Sequence, residues 1–96
     1  MTEVSMREEE GLYELLVEGH SNYAENGNDI VCAGISTLAQ SFALYCMEYA
    51  KIESLCIRSG YLSIRARECK EAYKMAEIGI KEMAKSYPEN IFIKSC

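Results

Sequence analysis

The sequence predicts an α+β fold: a hairpin, a helix, a second hairpin, a second helix and a last strand, with the helices packed on a largely antiparallel or mixed sheet. Three observations lead there. Residues 12–18 and 61–67 alternate in hydropathy with the two-residue period of a half-buried strand, whereas 29–49 and 70–86 place apolar side chains at helical spacing. Breaker clusters at Glu9-Glu10-Gly11, Asn26-Gly27-Asn28 and Ser59-Gly60 separate these segments. Two of the clusters are short enough to close hairpins, which makes their strands antiparallel neighbours and leaves the helices to cover a sheet face.

Each element follows in chain order. Thr2–Arg7 and Leu12–Glu18 are the first strand pair, and along the second strand Tyr13, Leu15 and Val17 point one way. Gly19 to Asn28 is a polar loop. Asp29 then opens a helix reaching about Tyr49, where its carboxylate suits the N-cap position. Val31, Ile35, Leu38, Phe42, Tyr45 and Tyr49 are the expected buried stripe of that helix. Ser54–Arg58 and Tyr61–Arg67 are the second strand pair, and Lys70–Ser86 the second helix, with Ala72, Ala76, Ile80, Met83 and Tyr87 facing inward. Pro88 stops that helix, and Ile91–Ile93 is a short last strand at a sheet edge, pairing either within the domain or across a dimer.

The chain of 96 residues has room for a single domain spanning 1–96, and 49% apolar content fits a folded globule. A domain of this size buries about 60–70% of its unfolded surface, so the core is modest. Asp and Glu outnumber Lys and Arg by 15 to 10. That balance disfavours phosphate backbones, and without a basic stripe no direct nucleic-acid partner is expected. The N-terminus MTEVSMREEE has neither a basic start nor an apolar run, and no segment is apolar enough to span a bilayer, so no membrane partner is expected. The five cysteines Cys32, Cys46, Cys56, Cys69 and Cys96 are irregularly spaced, and His20 is the lone histidine. Such a set fits neither a zinc site nor a disulfide framework, so no metal or cofactor is expected and the thiols suit a reducing cytoplasm.

Two residues carry chemistry. Cys32 falls in the first turns of a helix, where free N–H groups and the helix dipole stabilise an anion and lower a thiol pKa. His20 stands where a strand gives way to the loop before that helix, placed to form an ion pair with a thiolate and to protonate a leaving amine. Asp29 opposes this, because a nearby carboxylate raises a thiol pKa unless capping occupies it. Ser36 lies one turn beyond Cys32 and either supports the site or bonds back to its own helix. The pair alone leaves alternatives open, since a helical cysteine is commonly a small buried apolar residue. Of the other cysteines, Cys46 and Cys56 are expected to be buried.

The stretch from Gly19 to Ser36, with Gly19-His20-Ser21, Tyr23, Gly27, Asp29-Ile30-Val31-Cys32 and Ser36, resembles the signature of the ribosomal-processing cysteine protease family, Prp. The resemblance implies a cysteine endopeptidase that removes an N-terminal extension from ribosomal large-subunit protein twenty-seven during ribosome assembly. It makes His20 the catalytic histidine, Cys32 the nucleophile and Ser36 a recurrent serine without a settled role; apart from the resemblance, Asp29 is a candidate supporting residue through its capping of the helix. The resemblance also implies a homodimer and a loop that shapes substrate access, here Gly19, Ser21, Asn22, Tyr23 and Gly27. That loop offers little apolar burial to offset its ordering entropy, so closure on substrate is expected. Ser21 and Gly34 stand where alanine is common in the family, and neither removes a catalytic atom. Two other functions fit the residues: a non-catalytic ribosome-assembly binding factor of the same fold, and a thiol redox protein using Cys32.

Overall fold

The computed structural model describes residues 2–19 and 29–95, apart from the side chains of Asp29, Ile30, Cys32 and Ser95. In chain order the elements are β1 (Thr2–Glu9), β2 (Leu12–Glu18), α1 (Asp29–Tyr49), β3 (Lys51–Arg58), β4 (Tyr61–Arg67), α2 (Lys70–Ser86) and β5 (Ile91–Ser95). The strands form one sheet in the order β3-β4-β2-β1-β5. β1 with β2, β2 with β4 and β4 with β3 are antiparallel, and β5 adds parallel to β1. The sheet is thus mixed, and the last strand pairs within the chain.

Three strands are longer than hydropathy alone predicts. β1 continues to Glu9 because Glu8 and Glu9 pair with Tyr13 and Leu12 across the turn. That turn is two residues, Glu10 at φ 52° and Gly11 at φ 82°. Two successive positive φ values match the twist of a hairpin, and they put a non-glycine residue in a conformation that usually disfavours it. β3 begins at Lys51, three residues before the expected Ser54, and a register shift between Ile52 and Ser54 absorbs the irregularity. β5 runs on to Ser95 because Lys94 and Ser95 find partners in Ser5 and Met6. Pairing of this kind is supplied by a neighbour distant in sequence, so local composition does not reveal it.

One face of the sheet makes the core. Val4, Tyr13, Leu15, Val17, Leu62, Ile64, Ala66 and Ile91 are buried there, against Val31, Ile35, Ala39, Phe42, Ala43 and Cys46 of α1 and Tyr73, Ala76 and Ile80 of α2. The buried stripe of α1 is rotated from the expected one. Tyr45 is 39% exposed and Tyr49 is 71% exposed, while Ala39, Ala43 and Cys46 take the inward positions. Small residues let the helix lie close to the sheet, and the bulky tyrosines turn to its rim. The stripe of α2 is also shifted, with Tyr73 buried and Ala72, Met83 and Tyr87 only partly so.

Tyr73 ties the layers together. Its single hydroxyl proton is shared between the carbonyls of Glu14 at 3.1 Å and Arg7 at 3.4 Å, which face each other across β1 and β2. Its ring packs on Tyr13 and edge-on to Phe42, with centroids 4.8 and 5.6 Å away. The two helices touch through glycines. A Cβ on Gly34 would come within 2.6 Å of Met83, and one on Gly79 within 2.9 Å of Leu38. The glycine at position 34 therefore serves close helix packing, which offsets its helix-propensity cost of about 1 kcal/mol. The other sheet face is polar, with Arg65 on Glu14 at 2.9 Å and Lys94 on Glu3 at 3.1 Å. Exposed pairs like these contribute little to stability. Among the described residues no helix is long and apolar enough to cross a membrane.

Candidate active site

The end of β2 and the β3–β4 turn meet at one end of the sheet, and α1 passes beside them at Ser36, Ala39 and Gln40. The β2 end is fixed by a bond from the Gly19 N–H to the Gly60 carbonyl at 3.0 Å. α1 starts at Asp29 and carries Cys32 as its fourth residue, so the cysteine backbone lies in the first turn, at the positive end of the helix dipole. The sequence thus places a potential thiolate where helix electrostatics favour it.

One turn further along, Ser36 lines a cleft with Ala39 and Gln40 of α1, Val17 of β2, Leu62 and Tyr61 of β4, and Ile57 and Arg58 of β3. The open space there is about 290 Å³. Its floor is apolar. Arg58 and Tyr61 border it where β3 turns into β4, and the Arg58 guanidinium lies 4.1 Å above the centre of the Tyr61 ring, a separation at which a cation and an aromatic face attract. Arg58 also lies 3.5 Å from the Cys56 sulfur.

Of the residues that the sequence singles out, Gly19 and Ser36 are described in full. His20, Ser21, Asn22, Tyr23 and Gly27 lie outside the described residues, as does the expected closing of their loop. Asp29 and Cys32 are described as backbone only, so capping by the Asp29 carboxylate also lies outside. Cys56 is a correction: it is exposed, because its side chain is on the open sheet face of an edge strand. Ile57, Arg58 and Tyr61 line the cleft and were not singled out from sequence. No local signal marks them, because their approach to Ser36 depends on how α1 crosses the sheet.

Cys46 and Cys69 are buried and reduced. Burial pushes the Cys46 thiol up to about 12, with the neighbouring Cys69 adding to the effect. Burial also raises Cys69, and its hydrogen bond with Cys46 lowers it by less. Cys69 immediately precedes α2 yet is 1% exposed. Both sulfurs are held in the neutral, unreactive form.

Residues 1–92 match the family model described as Cysteine protease Prp, and the chain is by class a cysteine protease. It belongs to the Prp family. No curated protein matches the sequence. Among solved structures, the fold is similar to a crystal structure of an essential ribosomal processing protease Prp from S. aureus in complex with a substrate peptide. That similarity has a TM-score of 0.82 at 21% identity and covers 100% of both chains. A second structure of the S. aureus protein, with a covalently linked product peptide, gives 0.83 at 20% identity over the same coverage. The protein SMU.848 from Streptococcus mutans gives 0.82 at 23% identity, covering 99% of this chain and 96% of that one.

Proposed function

We propose that residues 1–96 act as one catalytic domain, an endopeptidase that trims the N-terminal extension of ribosomal large-subunit protein twenty-seven in the cytoplasm. The carrying observation is that the family match spans the stretch from Gly19 to Ser36, where both chemically suited residues fall. The S. aureus relative is a ribosomal processing protease crystallised with a substrate peptide, which supports a ribosomal protein as substrate.

In the proposed reaction the Cys32 thiolate attacks the scissile carbonyl carbon. The C–N bond breaks, and the His20 imidazolium gives its proton to the departing amine. Water, with His20 now acting as base, hydrolyses the thioester and frees Cys32. Backbone N–H groups at the start of α1 suit the transient oxyanion. Ser36 and Asp29 act in support. Gly19, Ser21, Asn22, Tyr23 and Gly27 form the loop that closes on the peptide. The working unit is a homodimer, and exposed Tyr45, Met75 and Ile78 on the helix layer offer apolar surface for a second copy.

The test is incubation of the purified protein with the host's protein twenty-seven in its extended form, read by intact mass. One cut near its N-terminus, lost in Cys32→Ala, is the expected result. An uncut precursor with the folded wild-type protein would overturn the reading. Light scattering at micromolar concentration tests the dimer, and a monomer mass would reject it.

A further inference from the structure

Among the described residues the two edges of the sheet are β3 and β5, and β3 has features that suit an extended peptide. One bond between β2 and the second hairpin sets the phase of hydrogen bonding across β2, β4 and β3. Gly19 donates to Gly60, the residue opposite it, and opposite residues in an antiparallel ladder alternate between bonded and non-bonded pairs. Counting from that bond, Leu62 and Ile64 turn their N–H and C=O groups toward β2, whereas Tyr61 and Ser63 turn theirs toward β3. Ile57 is opposite Leu62, and Leu55 is opposite Ile64. The backbone groups of Ile57 and Leu55 therefore point outward, at the free edge.

The same two residues have side chains on the helix-facing side, because their partners Leu62 and Ile64 are buried there. α1 does not cover them: Leu55 is 36% exposed and Ile57 is 49% exposed. Ile57 continues into the cleft floored by Leu62 and Val17 and walled by Ser36, Ala39 and Gln40. Ser36 is four residues from Cys32, about 6 Å along the helix axis. An open hydrogen-bonding edge and an apolar slot thus lie side by side, next to the start of α1. Edge strands of this length are usually blunted by charge, a bulge or a cover. Here the register shift sits at Ile52 and Ser54, and the stretch beyond it stays open.

We propose that the edge of β3 at Leu55–Ile57 is a docking strand for the peptide substrate, which adds to the sheet in extended form and places one apolar side chain in the cleft beside Ile57. The assignment rests on the protease reading above and specifies where that protease holds its substrate. Unpaired edge groups select an extended backbone, and alternate side chains of an added strand fall on the helix side. The peptide residue opposite Ile57 is the one that meets the cleft.

The experiment uses the wild-type protein first, with a synthetic peptide spanning the extension of the host's protein twenty-seven. Absence of cleavage at this step refutes the protease reading itself. With cleavage established, Ile57→Lys is compared with Phe92→Lys, which alters an equally exposed apolar residue on the opposite edge strand. Ile57→Lys is expected to raise KM by about tenfold, the size of effect for a lost apolar contact, with kcat little changed. Phe92→Lys is expected to match wild type. Peptides N-methylated at single successive amides, titrated against Cys32→Ala, report the edge without altering its fold. Loss of binding should fall on alternate amides. Wild-type kcat/KM in a folded Ile57→Lys variant, or equal tolerance of N-methylation at every position while cleavage is normal, would overturn the docking strand and leave the protease reading standing.

Discussion

Each helix of this protein has a cysteine at its start, and the two differ in what surrounds them. Cys69 immediately precedes α2, and its carbonyl accepts the Tyr73 N–H at 2.9 Å. The helix dipole there should favour a thiolate. Burial defeats it: Cys69 is sealed in the core beside Cys46, and its thiol is raised. Cys32 is the fourth residue of α1, in its first turn. Ser36, one turn later, opens on a cleft. A helix start is thus a condition for a reactive cysteine and not a sufficient one, because desolvation outweighs the dipole when no cation or solvent compensates it.

The comparison breaks most clearly in activity. Cys32→Ala and Cys32→Ser are expected to lower kcat/KM by about 10⁴-fold or more, since loss of a nucleophile removes the covalent route. Cys69→Ala should leave turnover near wild type and lower stability by about 1 kcal/mol through the small cavity it leaves. Peptide cleavage and urea melts on both variants check this. Turnover surviving at position 32, or disappearing at position 69 in a folded protein, would reverse the assignment of the two sites.

Thiol chemistry sharpens the contrast. Limiting iodoacetamide near pH 6.5 should label Cys32 first, while Cys46 and Cys69 stay unmodified until the protein unfolds. Cys56 is exposed, so its labelling rate is the internal comparison for an accessible thiol. Peptide mass mapping at short times gives the order. Cys46 or Cys69 modified ahead of Cys32 in the native protein would show that burial does not protect the core pair.

The smallest effect concerns alkaline stability. The Cys46 thiol moves from an ordinary value of 9.0 to about 12 in the fold. A group raised in this way contributes stability that is complete below pH 9 and declines as pH rises toward 12, because the unfolded chain ionises first. Denaturant midpoints should therefore be flat around neutrality and fall above pH 9. Cys46→Ala should shallow that fall without removing it, since burial also raises the phenols of Tyr13 and Tyr73. An identical slope in the variant would mean that Cys46 ionises in the native state.

Much of this molecule was legible in the sequence. The order of elements, the two turns at Glu10-Gly11 and Ser59-Gly60 and the inward face of β2 all follow from two-residue and helical periods. These are local properties, written in runs of neighbouring residues. The motif from Gly19 to Ser36 likewise pointed to a cysteine protease before any contact was known, and the family match agrees.

The fold decided what depends on residues far apart. Hydropathy at helical spacing placed Tyr45 and Tyr49 inward on α1, but the helix is rotated so that Ala39, Ala43 and Cys46 face the sheet. An amphipathic pattern gives a stripe only approximately, and packing at close distance selects its small members. Cys56 looked like a core residue, and it is exposed because β3 ended as an edge strand with no neighbour beyond it among the described residues. The parallel pairing of β5 with β1 joins the two ends of the chain. Its register, like the approach of Ile57 and Tyr61 to Ser36, is settled by how α1 and α2 cover one sheet face. Local sequence sets what each segment can become, while strand order and helix rotation are set by the whole core at once, because only there do the competing apolar faces find their partners.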